Sequence, residues 1–503
     1  MFKNSLQQSN GEQKILEKNF LPKTSNGVKN WLSLYNPRYV RSIAYMLQAS
    51  EYNIRDYINW RKKVKNFNEV ENRKHLAITP KSLFVIAVIS IILLCIYGAA
   101  LTLMFQWTNP LKYPAFILII ISAPHFLAYG IIIPLWLFNI LIQKPIEFFI
   151  IKNTEKILQK HQALKIAIAG SFGKTTMREI LKTVLAEEKK TAAPSDNYNT
   201  PIGISKFVKK LTGDEEILIF ELGEYYTGDV HKLCRIIKPQ IGIITGVNEA
   251  HLQKFKTTNI AADTIFELAD WLKNKIVYVN GENALAKNRA SNNHILYNRD
   301  NVGNWRVQEA RTNLTGTSCI LENDNLKIEV KSKLLGLHHI GPLAVATDIA
   351  LRLGISPEKI QQGIAKTKPF NHRLELKNYG DGVILLDDSY NGNPDGVNAI
   401  IEFLTSLKNR RRFYVTPGLV EMGAKTELVH KKIGEKLAKA GIEKIILIKN
   451  SVTPYIEQGL KENKYNGEVK WFDNATEAFA ALPNLTVNGD IIVLQNDWPD
   501  QYA

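Results

Sequence analysis

The chain has 503 residues, 64 Lys and Arg against 48 Asp and Glu, and a formal net charge of +16. That length leaves room for about three domains. Cys95, Cys234 and Cys319 are too far apart in sequence for a metal-binding spacing or a disulfide framework, which fits a reducing compartment.

Residues 1–30 are polar and expected to be loosely ordered. In the stretch 31–67, Tyr39, Ile43, Met46 and Leu47, then Tyr52, Tyr57 and Trp60, fall at helical spacing between Arg and Lys. This reads as amphipathic helix on a membrane face or packed on the protein, with an ordinary solvated helix pair as the alternative. Residues 1–81 hold 15 Lys/Arg against 6 Asp/Glu and stand directly before an apolar run. That placement favours a juxtamembrane role, and no aromatic-interleaved basic motif argues for nucleic acid. The polar stretch of about eighty residues before the first apolar run is unlike a secretory signal.

Residues 83–105 and 113–142 are two charge-free apolar runs, each long enough to span a bilayer. Pro124, Gly130 and Pro134 interrupt the second, and His125 is a lone ionisable group within it. Basic residues flank the pair on both sides, which places both flanks in the cytoplasm and the short link outside.

Gly170-Ser-Phe-Gly-Lys-Thr-Thr176 follows a short apolar strand and opens a helical pattern. This is the grammar of a phosphate-binding loop: backbone N–H groups and a helix N-terminus face an anion, Lys174 reaches the terminal phosphates, and a Thr hydroxyl can hold Mg²⁺. Two residues separate the glycines where the common form has four, which points to a narrower family. Strands at 217–222, 240–252 and 276–279 end in Glu221, in a polar exit that carries His251, and at Asn280. Their alternation with helices implies a doubly wound parallel sheet with polar groups converging on one edge. Residues 290–335 read as a small β insertion, and 383–388, 413–415, 444–448 and 491–494 as strands of a second, Rossmann-like α/β domain.

Together these residues resemble the ATP-dependent Mur ligases. The phosphate loop, Asn197-x-Asn199-x-x-Ile-Gly203, Glu221-Leu-Gly and Ala250-His251-Leu252 are similar to that family's motifs in order. Asp387-Asp-Ser-Tyr-Asn-Gly-Asn-Pro394 and Thr416-Pro-Gly-Leu-Val-Glu-Met-Gly423 resemble the branch that adds D-alanyl-D-alanine. The resemblance implies ATP and Mg²⁺, an acyl-phosphate intermediate, and attack by an amine to form an amide. It implies catalytic roles for Lys174, His251 and Arg373. Nucleotide contacts would come from Gly170, Ser171, Phe172, Gly173, Lys174, Thr175, Thr176, Asn199, Asp388, Tyr390, Asn391 and Asn393. Metal contacts would come from Thr175, Glu221 and His251. The implied substrates are a UDP- or lipid-linked muramoyl peptide and an amino acid or dipeptide. Other cell-wall synthesis proteins are expected partners, and nucleic acid is not. The expected layout is a basic segment at 1–81, two transmembrane helices in 82–149, a P-loop ATPase-like central domain at 150–372 and a C-terminal domain at 373–503.

Four departures from that pattern stand out. Ile265 occupies the position of a carbamylated lysine, so either a second metal is not bound there or another group such as Glu267 compensates. His339 and Pro342, in Gly336-Leu-His-His-Ile-Gly-Pro342, replace adenine-side asparagines. Gln495-Asn-Asp497 replaces Lys-Gly-Ser. The basic segment and two apolar runs stand where the family has a UDP-binding domain, which leaves open a ligase for another acidic polymer such as poly-γ-glutamate, or a nucleotide-binding membrane scaffold.

Overall fold

The structure, a computed structural model, describes residues 26–496 apart from 37, 51, 72–74, 196–197, 249–254, 256 and 391. It divides into two compact units, with the split between Pro145 and Ile146.

In the first unit, helices Tyr39–Ala49 and Ile54–Lys63 place Ile43, Met46, Leu47 and Tyr57 at 0% exposure, packed with Val85, Ile89, Leu127 and Ile131. The aromatic stripe of this segment is therefore packed on protein, which decides between the readings left open by its periodicity. Two helices among the described residues are long and apolar enough to cross a membrane. They are Pro80–Gln106, with mean hydropathy 2.8, and the helical run Lys112–Lys160, with 2.3. Large apolar side chains such as Leu94, Phe105, Leu118 and Phe126 are exposed along them, unlike those of a core helix. Pro124 lies inside helix Lys112–Gly130, where its missing N–H breaks the helical ladder. On this helix the hydroxyls of Tyr35, Tyr39 and Tyr57 donate to the carbonyls of Ile121, Pro124 and Ala128, each at 2.8 Å. His125 points to an exposed position.

The second unit holds two sheets. In the first, β1 (Leu164–Ala169), β2 (Thr191–Ala192), β3 (Ile217–Glu221), β4 (Ile241–Ile244), β5 (Ile276–Asn280) and β6 (Ile295–Tyr297) run parallel in the order β6-β5-β4-β1-β3-β2. Strands β7 (Asn301–Val302), β8 (Trp305–Asn313), β9 (Gly316–Glu322) and β10 (Lys327–Ser332) continue the same sheet antiparallel beyond β6. Strand β1 is central and buried on both faces. Ile166 and Ile168 pack under helices Lys174–Leu185 and Ile340–Arg352, while Ala167 and Ala169 pack with residues of helices Asp229–Ile237 and Thr258–Leu272.

In the second sheet, β11 (Glu375–Gly380), β12 (Val383–Asp388), β13 (Arg412–Thr416), β14 (Lys444–Ile448), β15 (Glu468–Phe472) and β16 (Ile491–Gln495) take the order β11-β12-β16-β13-β14-β15. Only β11 is antiparallel. Strands β2, β11 and β15 were not expected from the sequence. All three are sheet edges, where one side stays wet and the apolar signal is weak.

Ile168 is fully buried at the centre of the first sheet. Ile168→Ala is expected to lower stability by roughly 2–5 kcal/mol, read as a lower urea midpoint. The exposed change Lys327→Ala is expected to move it by less than about 0.5 kcal/mol.

Candidate functional site

The loop after β1 is sewn to the exit of β4. Thr245 N–H donates to the Ala169 carbonyl and Ser171 N–H to the Gly246 carbonyl, both at 2.9 Å, and the Thr245 hydroxyl donates to the Phe172 carbonyl. Gly170 has φ +145°, and a Cβ there would lie 2.2 Å from Thr245 Oγ1. Gly173 adopts the left-handed conformation as cap of helix Lys174–Leu185. A bare backbone is thus held at a helix N-terminus, which fits a phosphate group.

Four charged groups surround this backbone. Lys174 Nζ pairs with Glu224 Oε1 at 2.7 Å and donates to the Gly170 carbonyl. The Thr175 hydroxyl donates to Glu221 Oε2 at 3.1 Å, and Arg178 Nη1 lies 2.8 Å from Glu221 Oε1. Burial raises the Glu221 carboxyl above its usual range, against the pull of Arg178, Lys174 and the Thr175 hydroxyl. The hydroxyl and carboxylate oxygens of Thr175 and Glu221 suit a hard cation such as Mg²⁺.

A cavity of about 290 Å³ opens beside the loop. Phe172, Gly173 and Thr176 line it from the first sheet's side, and Arg373, Asp388 and Asn393 from the second's. Arg299 ties the two sides, with Nε 3.2 Å from Glu282 Oε1 and Nη1 2.6 Å from Glu402 Oε1. Asn248 Nδ2 donates to Asn393 Oδ1 at 3.1 Å and to Asp395 Oδ2 at 2.9 Å. His338 and His339 also line the cavity, with ring centroids 3.9 Å apart. Burial lowers His338 to about 4 and His339 well below the usual imidazole range, so both rings are neutral at pH 7.

Comparison with known proteins agrees with this architecture. Residues 168–350 match the Mur ligase middle domain, and residues 372–495 match the Mur ligase glutamate ligase domain. The UDP-N-acetylmuramoyl-tripeptide–D-alanyl-D-alanine ligase of Borreliella burgdorferi is 30% identical over 320 residues, covering 60% of this chain and 67% of that protein. The chain belongs to the Mur ligase family. The enzyme of the same name from Mycobacterium tuberculosis is 28% identical over 295 residues, 56% of this chain and 58% of its own length. The chain therefore spans little more than half of that relative. The crystal structure of the MurF ligase of Thermotoga maritima in complex with ADP superposes with TM-score 0.61 at 20% identity, covering 70% of this chain and 80% of that one.

Within this Mur ligase, the structure gathers most of the anticipated residues. Gly170, Ser171, Phe172, Gly173, Lys174, Thr175, Thr176 and Glu221 surround the loop, and Arg373, Asp388 and Asn393 reach the shared cavity. His251 and Asn391 lie outside the described residues. Asn199 backs the chain after β3, its carbonyl accepting from Gly223 N–H at 2.9 Å. Tyr390 presents its ring to the Arg373 guanidinium at 5.0 Å and orients that side chain. Asp387 accepts from Lys377 at 2.6 Å, His372 at 2.8 Å and Ser389 at 2.7 Å, a structural role.

One of the two alternatives left by Ile265 is closed. Glu267 cannot stand in for the missing lysine, because its carboxylate accepts from Gly228 N–H at 2.7 Å and His231 N–H at 2.8 Å, capping helix Asp229–Ile237. Ile265 is fully buried in the core beneath the sheet. Sequence reading missed Glu224, Arg299 and Glu402. Glu224 adjoins the Glu221-Leu-Gly motif and was detectable there, whereas the Arg299–Glu402 pair joins residues 103 apart in sequence and left no local signal.

Burial lifts Asp388 from 3.8 to about 6, against the Arg373 charge and the Leu374 N–H hydrogen bond. The folded state then binds the proton more tightly than the unfolded one, so this group's contribution is full below pH 3.8 and is lost as pH rises through about 6. Asp388→Asn is expected to flatten that part of the pH–stability profile. In the unsubstituted chain, carboxyl ¹³C NMR should give a titration midpoint near 6.

Proposed function

We propose that this chain is a membrane-anchored, ATP-dependent amide ligase of the MurF type, joining D-alanyl-D-alanine to the peptide carboxylate of a muramoyl peptide. The observation that carries this reading is one cavity lined by the phosphate loop and, opposite it, by Arg373 and Asp388. The names of the curated relatives support the choice of substrates.

In this reading the loop N–H groups and Lys174 hold the β- and γ-phosphates of ATP, and Arg373, braced on Tyr390, adds positive charge from the other side. Thr175 and Glu221 would hold Mg²⁺, with His251 as a ligand for a second ion, and the metal would neutralise phosphate charge. The acceptor carboxylate takes the γ-phosphoryl group and ADP leaves. The amine then attacks the acyl carbon, inorganic phosphate departs, the amine loses a proton, and an amide remains. The Arg299–Glu402 and Asn248–Asn393 contacts hold the cavity walls together and restrict water, which would otherwise hydrolyse the acyl phosphate.

Residues 1–145 lie outside both family matches and carry the two exposed apolar helices. These features support anchoring in the cell membrane with the ligase portion in the cytoplasm, and an acceptor carried on lipid as an alternative to UDP.

The test is phosphate release and product formation with ATP, D-alanyl-D-alanine and a muramoyl tripeptide on either carrier. Lys174→Ala is expected to lower turnover at least about 100-fold. Absence of turnover on both carriers would sink the substrate assignment. Alkaline carbonate washing of membranes is expected to leave the chain in the pellet; release into the supernatant would contradict anchoring.

A further inference from the structure

Helix Ile54–Lys63 has two faces with different commitments. Tyr57 and Trp60 turn inward. The Tyr57 hydroxyl donates to the Ala128 carbonyl at 2.8 Å, and the Trp60 ring meets that of Tyr45 with centroids 6.0 Å apart. Arg61 follows them, its guanidinium 4.7 Å from the centroid of the Phe67 ring. Arg55, Lys62 and Lys63 are exposed on the other side. Arg55 and Lys62 stand two helical turns apart and so share one face. Among the described side chains between Asn26 and Thr79, the carboxylates are those of Asp56, half-buried in the helix's first turn, and Glu71, which pairs with Arg41 at 3.0 Å. Among the described residues, no carboxylate pairs with Arg55, Lys62 or Lys63.

This cationic face is clamped beside apolar surface. The carbonyls that accept from Tyr35, Tyr39 and Tyr57 belong to helix Lys112–Gly130, and the same stretch exposes Ile121 and Phe126 at 43% and 66%. Charged side chains are costly in hydrocarbon, so where such an apolar stretch meets lipid, a cationic helix fixed to it lies at the headgroup layer. We propose that the face of Arg55, Lys62 and Lys63 docks on the headgroups of anionic phospholipids. The apolar side of the helix is spent on protein, so the helix does not sink into the bilayer as a free amphipathic helix does. Its hold on lipid comes from charge, which acts within about a Debye length of an anionic leaflet. This inference rests on the membrane-anchoring reading above and adds the lipid class that the anchor selects and the residues that select it.

The experiment uses the full chain reconstituted in phosphatidylcholine vesicles, with spin-labelled phosphatidylglycerol or phosphatidylcholine as the probe. Electron paramagnetic resonance reads the fraction of each probe held against the protein. Phosphatidylglycerol is expected to associate about fivefold more strongly than phosphatidylcholine at low salt. That preference is expected to vanish at about 1 M salt. The combined variant Arg55→Gln, Lys62→Gln, Lys63→Gln, checked for folding by circular dichroism, is expected to lose most of the preference. A control with the same loss of charge, Lys327→Gln, Lys359→Gln, Lys408→Gln, is expected to keep it. Equal association of both probes with the unsubstituted chain would overturn the proposal. A preference that survives in the first variant, or that falls equally in the control, would overturn it as well. If the unsubstituted chain leaves the vesicles on alkaline carbonate washing, the anchoring reading itself falls and this inference falls with it. If the chain stays and shows no lipid preference, only the docking face is lost.

Discussion

The backbone seam between the loop after β1 and the exit of β4 sets the geometry on which the site depends. Thr245 N–H to Ala169 and Ser171 N–H to Gly246 extend the parallel ladder past the sheet's edge, and they do so without side chains. Because β1 lies between β3 and β4, this seam also decides what surrounds the loop. Strand β3 delivers Glu221 on one side. Asn280, at the end of β5, donates to the Thr245 carbonyl at 2.9 Å and braces the other. Polar groups at the carboxyl ends of neighbouring parallel strands are thus brought to one crevice by topology. Gly170 is required there because a Cβ would run into Thr245.

Charge around the seam is closely balanced. Two buried carboxylates, Glu221 and Glu224, face two cations, Arg178 and Lys174, and each carboxylate has its own partner. Such a cluster tolerates burial because no charge is left alone. The histidines of the cavity follow the opposite logic: burial keeps His338 and His339 neutral, so neither ring adds charge to the cavity wall.

The N-terminal unit solves a different problem. Pro124 has no N–H to give to the ladder of helix Lys112–Gly130. Tyr35, Tyr39 and Tyr57 donate their hydroxyls to the carbonyls of Ile121, Pro124 and Ala128 on this helix while their rings pack in the helix cluster. The same contacts explain why the aromatic stripe faces protein: its polar tips are committed to the helix and its rings to the core.

Much of this was legible in the amino-acid order. Short apolar runs marked the buried parallel strands, and long charge-free ones marked the two long helices. The Gly170–Gly173 spacing and the order of the later motifs marked the phosphate loop and the family. Edge strands β2, β11 and β15 escaped because half-exposed edges carry little periodic signal. The partners of individual charges escaped for another reason. Thr175 meets Glu221 across 46 residues, and Asn248 meets Asn393 across 145. Local pattern therefore sets which residues are available and which elements carry them. Only the packed structure assigns Glu267 to a helix cap, Asp387 to Lys377 and His372, and Glu224 to Lys174, because a carboxylate's partner depends on three-dimensional distance and desolvation rather than on its neighbours in the chain.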